Sequence, residues 1–220
     1  MTSVVPQYTL VDYQASLVRA WKHVFQDVEP DGPTCVQGNI LEQPPGTALV
    51  SAANSLGWMT GGIDLAYARD FARHHLDIHQ YTWPAIARAF HGEIPIGSAL
   101  VVPTPEHPRW PFLVLAPTMR TPAVVPWSIV AYWAFRAVLL AVDAWNADPA
   151  TMPITHVACP GLGTGTGFLS SRHAARQMRA AWDQVHQPAN GQPLPLGAAG
   201  LEEIRWSGAV WRTAGMWFVK

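Results

Sequence analysis

The sequence predicts an α/β fold of three layers, in which a mainly parallel central sheet is covered by helices on both faces. Three observations carry this expectation. Strand-length apolar runs bounded by Pro and Gly recur along the chain, helical patterns lie between them, and two glycine-rich loops each follow a strand. Strands that alternate with helices pair in parallel, because a parallel pair needs a long crossover and the crossover helices then cover both sheet faces.

The first element is the apolar-rich strand Tyr8 to Asp12, followed by a helix in which Leu17, Val18, Trp21, Val24 and Phe25 recur at helical spacing. Further strand-length runs stand at Thr34 to Gln37, Thr47 to Ala52, Ser98 to Val102, Phe112 to Ala116 and Ile154 to Cys159. The longest helical pattern runs from Pro126 to Asn146. Its Ile129, Val130, Trp133, Val138, Leu139 and Val142 leave little polar face, so this helix is expected to be largely buried. The last clear helix opens after Ser170 or Ser171, either suited to cap it, and aligns Ala175, Met178, Trp182 and Val185 on one stripe. From Gln187 to Gly200 the chain is rich in Pro, Gly and Ala and reads as a surface linker. The tail beyond it carries Trp206, Trp211, Trp217, Phe218 and Val219, which suit either an edge strand or a cover over a core face. The expected organisation is one domain over 1–186, with 187–220 as a linker and a Trp-rich extension packed on the same domain.

Composition excludes several functions. Charged residues are 13% of the chain and the formal net charge is -1, so no basic field exists to hold a nucleic-acid backbone, and general nucleic-acid binding is not expected. The 11 Trp speak for a globular chain rather than a disordered one. Met1 to Pro6 lacks the basic and apolar pattern of a secretory leader, and no apolar run is long enough to cross a bilayer, so the expectation is a soluble cytoplasmic protein without a membrane partner. Cys35 and Cys159 are then expected as reduced thiols.

Open α/β sheets bind ligands at the carboxyl ends of their strands, where loops lead into helix N-termini with unpaired N–H groups. The first glycine-rich loop follows the strand Thr47 to Ala52 and runs Ala53-Asn54-Ser55-Leu56-Gly57-Trp58-Met59-Thr60-Gly61-Gly62-Ile63-Asp64. The second follows Ile154 to Cys159 and runs Pro160-Gly161-Leu162-Gly163-Thr164-Gly165-Thr166-Gly167. Its alternating glycines let the backbone turn its N–H groups toward an anion, and a diphosphate suits such a loop. It lacks the Lys of a nucleotide-triphosphate loop, and its glycine spacing departs from the dinucleotide fingerprint.

Taken together and in this order, the loops resemble the macrodomain family. The matching stretches are Gly38-Asn39-Ile40, Ser51-Ala52-Ala53-Asn54-Ser55 with Gly61-Gly62-Ile63-Asp64, and Pro160-Gly161-Leu162-Gly163-Thr164-Gly165, over roughly Tyr8 to Val185. Ala116-Pro117-Thr118-Met119-Arg120 is similar to a bacterial and phage-type branch of that family. The resemblance implies a three-layer α/β/α macrodomain-like fold that binds ADP-ribose, free or on a modified macromolecule, with no cofactor and no metal. It further implies an ADP-ribosyl hydrolase, in which Asp64 stands at the position of a catalytic Asp and Asn54 at that of an Asn orienting the distal ribose. A non-catalytic reader of ADP-ribose, with Asp64 serving only as a helix cap, is the alternative. The implied ligand-binding residues are Asn39, Ile40, Gly61, Gly62, Ile63, Gly161, Leu162, Gly163, Thr164, Gly165, Thr166, Gly167 and Phe168, the last against the distal ribose. Where the family carries an adenine-binding Asp this chain has Asn39, whose side-chain carbonyl keeps an acceptor without the charge. The family's paired-Asn pattern opens here with Ser51.

Other constellations rank lower. His75 and His79 are spaced to share a helix face, yet no third ligand or metalloprotease pattern accompanies them. No nucleophile elbow supports a serine hydrolase. Cys159 reads as a buried small hydrophobe before a thiol near the ligand, Trp58 as core packing or a wall for the distal ribose, and Arg120 as a phosphate partner or a surface ion pair.

Overall fold

The computed structural model describes residues 4–28 and 30–186. The linker and Trp-rich extension expected over 187–220 lie outside the described residues. In chain order the elements are β1 (Gln7–Asp12), α1 (Ala15–Phe25), β2 (Thr34–Gln37), a 3₁₀ turn (Ile40–Glu42), β3 (Ala48–Ser51), α2 (Gly62–Arg73) and α3 (His79–Phe90). They continue with β4 (Leu100–Pro103), β5 (Phe112–Leu115), α4 (Val130–Ala147), β6 (His156–Cys159) and α5 (Ser171–His186). No helix among the described residues is long and apolar enough to cross a membrane.

The six strands form one sheet in the order β2-β1-β6-β3-β5-β4. Every pairing is parallel except that of β4 with β5, so an antiparallel edge strand closes an otherwise parallel sheet. The period of two along each strand sorts side chains into two cores. Leu10, Val50, Val114 and Val157 face α1, α4 and α5, where they meet Trp21, Phe135 and Met178. Val11, Leu49, Leu113 and Ala158 face the other way, toward Tyr67, Phe71 and Ile86 of α2 and α3. Every residue of β3 and of β5 is buried, as continuous apolar runs at the centre of a doubly covered sheet require. This is the three-layer α/β/α arrangement that the sequence predicts.

Local departures from the expected elements have identifiable causes. The helix expected from Pro126 begins only at Val130, because Ser128 closes a turn with its N–H and hydroxyl on the Val125 carbonyl, at 3.2 and 2.7 Å. The N-terminus of α4 is completed from α5 instead, where the buried Gln177 Oε1 accepts from Ala131 N at 3.1 Å. At the start of α5, Ser170 is the capping serine, its Oγ accepting from His173 N at 3.2 Å. His75 and His79 do not share a helix face: His75 turns the chain at φ 59 after α2, and His79 opens α3.

Cys35 and Cys159 pair in register with Leu10 from its two sides. Their Cα atoms are therefore two strand spacings apart, about 9.5 Å, beyond the roughly 7 Å that a disulfide spans. The two thiols are not bonded to each other. Burial raises the Cys159 thiol far above its ordinary value, so it stays protonated and acts as a small apolar filler.

Candidate functional site

Five strands end on one edge of the sheet, and the loops that leave them surround a cleft of about 520 Å³. Sheet order sets the sequence of walls along it. Gly38 and Ile40 follow β2, Asp12 and Tyr13 end and follow β1, the second glycine loop follows β6, the first follows β3, and Thr118 and Met119 follow β5. The cleft thus crosses the carboxyl ends of the parallel strands, where the general rule for open α/β sheets places a ligand.

The second loop is built to present its backbone. Gly163 takes φ +71, and the turn is closed by Leu169 N donating to the Gly163 carbonyl at 3.0 Å and Phe168 N to the Gly165 carbonyl at 3.0 Å. The backbone N–H groups from Gly163 to Gly167 donate to no acceptor among the described residues. Such a run of free donors is a nest for an anion. The glycines divide by role. A Cβ at Gly167 would come within 2.5 Å of the Gly163 carbonyl oxygen, whereas one at Gly165, which lines the cleft, would meet nothing within 4 Å.

The first loop is held by Asn54. Its Oδ1 accepts from Leu56 N at 3.1 Å and Trp58 N at 3.3 Å, and its Nδ2 donates to the Trp58 carbonyl at 3.1 Å. The Asn54 amide closes the loop on itself and leaves one Nδ2 proton for another acceptor. A parallel bridge between Asn54 and Met119 ties this loop to the segment after β5. Trp58 is 43% exposed and lines the cleft, so it is a wall rather than core packing.

Beyond this loop Asp64 sits in the first turn of α2 at the floor of the cleft, 7% exposed. Its Oδ1 accepts from the buried Ser51 Oγ at 2.6 Å, so this bond runs to the end of β3 and not to the helix terminus. Burial pushes the Asp64 carboxyl up to about 7, and the Ser51 bond only partly opposes this. A carboxyl near neutrality can hold or release a proton at working pH, which is the condition for general acid or base chemistry.

The shift has a stability consequence. Folding raises the Asp64 pKa from 3.8 to about 7, so its favourable contribution is complete below about 4 and is lost as pH rises through about 7. Asp64→Asn keeps an acceptor for Ser51 and carries no charge. That variant is expected to be more stable than wild type by about 1–3 kcal/mol at pH 8, with the difference shrinking toward pH 4.5. Thermal unfolding at both pH values checks it, and a difference independent of pH would contradict the burial argument.

Of the residues singled out from sequence, Ile40, Asn54, Gly61, Gly62, Ile63, Asp64, Gly161, Gly163, Thr164, Gly165, Thr166 and Gly167 line the cleft together. Three others lie outside its lining. Asn39 is the cap of the 3₁₀ turn, its Oδ1 accepting from Leu41 N at 3.0 Å. Leu162 is fully buried in the core beneath the loop, and Phe168 is 69% exposed at φ 55 on the loop's outer side. Arg120 makes the surface ion pair, bidentate to Glu93 at 2.7 and 2.9 Å. Sequence reasoning passed over Asp12 and Tyr13, and gave Ser51 no role beyond opening the paired-Asn pattern, although Asp12 and Ser51 each end a parallel strand at the ligand edge, a position that itself marks candidates.

On the opposite side of the molecule Asp70, His74 and His107 bring potential ligand atoms within 4.8 Å of one another. The buried His107 accepts the N–H groups of Arg109 and Trp110 at Nδ1, at 3.2 and 3.1 Å. Its ring proton therefore sits on Nε2, 3.5 Å from Asp70 Oδ2, and burial favours this neutral form. A metal at Nε2 would require the proton on Nδ1, against two donors, so the hydrogen bonding opposes ligation.

No family model matches the chain. An uncharacterized protein of Aquifex aeolicus (strain VF5) is 34% identical over 143 residues, which are 65% of this chain and 76% of that protein. Among solved structures the chain is similar to the macrodomain of Mycobacterium tuberculosis DarG, with a TM-score of 0.51 and 23% sequence identity, over 67% of this chain and 88% of the other.

Proposed function

We propose that this chain, which has the macrodomain fold and belongs to one family with the uncharacterized Aquifex protein, binds ADP-ribose along the cleft and hydrolyses it from an ADP-ribosylated acceptor. The observation that carries the binding half is the row of free backbone donors from Gly163 to Gly167 at the middle of the cleft, which suits the diphosphate. From that loop the sheet order runs toward the first loop and Asp64 on one side and toward β1 and β2 on the other. The distal ribose then lies beside Asn54, Trp58 and Asp64, and the adenine beside Gly38, Ile40 and Asp12.

Hydrolysis follows from Asp64. Its carboxylate takes a proton from a water as the water oxygen bonds to the anomeric carbon. The bond from that carbon to the acceptor breaks, the acceptor leaves with the electron pair and takes a proton from solvent, Asp64 gives its proton back to solvent, and ADP-ribose is released. Positive charge developing on the sugar is stabilised by the same carboxylate in a water-poor floor. The neighbouring amide of Asn54 fixes the loop that holds the ribose, and its remaining proton suits a sugar hydroxyl.

If the first loop holds the distal ribose, that sugar adds affinity. Calorimetric titration with AMP, ADP and ADP-ribose is expected to show affinity rising in that order, with ADP-ribose at least about tenfold tighter than ADP. Equal affinities for ADP and ADP-ribose would remove the first loop from the site.

A further inference from the structure

The base end of the cleft does not use the residue its motif suggests. Asn39 Oδ1 accepts from Leu41 N, at 3.0 Å, as the cap of the 3₁₀ turn, and the residue is not part of the cleft wall. The carboxylate that does line this end is Asp12, at the carboxyl terminus of β1. Because β1 stands between β2 and β6 in the sheet, Asp12 lies between the turn after β2 and the glycine loop after β6. Two bonds fix it there. Oδ1 accepts from Gln14 N at 2.8 Å and Oδ2 from Gly161 N at 3.2 Å, the first residue of the glycine run. Each carboxylate oxygen can accept a second hydrogen bond, so both retain capacity toward the cleft. The next residue, Tyr13, is 69% exposed and lines the same end, and its carbonyl is held by Gln37 Nε2 at 3.3 Å.

We infer that Asp12, rather than Asn39, recognises the purine, accepting a hydrogen bond from the exocyclic amine of adenine while the Tyr13 ring offers an apolar face to the base. The inference rests on the ADP-ribose reading and adds to it the residue that selects the base. An anionic acceptor strengthens a hydrogen bond from an amine and repels the carbonyl oxygen that a hypoxanthine carries at the same position. Asp12 is then a specificity determinant with a second duty, since its bond to Gly161 links the base end to the diphosphate loop.

The test compares ADP-ribose with its inosine counterpart by calorimetry on wild type, Asp12→Asn and Asn39→Ala, with melting temperatures recorded for each. Wild type is expected to prefer ADP-ribose by at least about tenfold. Asp12→Asn is expected to weaken ADP-ribose by at least about tenfold and to leave the inosine compound within about threefold, because the new amide donates to its carbonyl. Asn39→Ala is expected to keep the wild-type preference. Should Asp12→Asn unfold, Asp12→Ser, which retains an acceptor for Gly161 N, takes its place. Equal weakening of both ligands by the Asp12 variant would mean that Asp12 acts only through Gly161, and a preference lost in Asn39→Ala would return recognition to Asn39. Either result overturns the inference, as does a wild type that binds both ligands equally. A wild type that binds neither overturns the ADP-ribose reading itself.

Discussion

Asp64→Ala is expected to lower the release of ADP-ribose from a modified acceptor by at least about a hundredfold, while its affinity for ADP-ribose changes by less than about threefold. The split follows from where the carboxylate acts. In the proposed mechanism it touches the reacting carbon and water, and its interaction grows as charge develops on the sugar, so removing it would cost the transition state far more than the ground state. Folding should survive, because the carboxyl bonds to Ser51 rather than to the N-terminus of α2 and its burial as an anion is itself unfavourable above about pH 7. Wild-type kcat/KM is expected to rise as pH approaches about 7 and to level above it, as the carboxyl that burial raises loses its proton. Steady-state release measured on a panel of ADP-ribosylated acceptors checks both. Undiminished turnover in Asp64→Ala, or no release by wild type from any acceptor class, would leave a reader of ADP-ribose in place of a hydrolase.

Much of the fold was legible because strand and helix periods differ and the core is strongly apolar. β2 coincides with the run Thr34 to Gln37, and β5 and β6 fall within the expected runs. The shortfalls arise where tertiary partners decide. The start of α4 depends on Gln177 reaching across from α5, and the separation of His75 from His79 depends on a left-handed turn that no periodicity marks. The antiparallel pairing of β4 is likewise a matter of where the chain returns to the sheet.

The site was legible in its loops and less so in its individual side chains. Gly61 to Asp64 and Gly163 to Gly167 come together because both loops leave neighbouring parallel strands. Asn39 looked available because its residue type suits an acceptor, but its side chain caps the 3₁₀ turn and the residue does not line the cleft. Leu162 occupies a loop position whose side chain points down into the core, as a residue between two cleft-lining glycines must if the loop is to be anchored. Asp12 was hidden because it belongs to no glycine motif. Its importance comes from strand order, which places β1 beside β6. The raised pKa of Asp64 was equally hidden, since it depends on a burial that only the packed structure creates.

The second glycine loop is the proposed seat of the diphosphate of ADP-ribose, and Gly165 isolates that role from folding. A side chain at Gly163 would strain a backbone at φ +71 and press on Val130, and one at Gly167 would strike the Gly163 carbonyl, so those variants confound binding with stability. Gly165 has neither problem. Its backbone lies outside the left-handed region, it lines the cleft, and a Cβ there meets no atom within 4 Å. The isopropyl group of Gly165→Val would therefore fill the space over the free N–H groups and exclude the phosphates. Loss of affinity by at least about a hundredfold is expected, at a melting temperature within about 3 °C of wild type, since a surface substitution of this kind costs little. The direct measurement is calorimetric titration of ADP-ribose into wild type and Gly165→Val side by side. One saturable site is expected in wild type and no measurable binding in the folded variant, whereas equal binding by both proteins, or no binding by either, would take the diphosphate away from this loop.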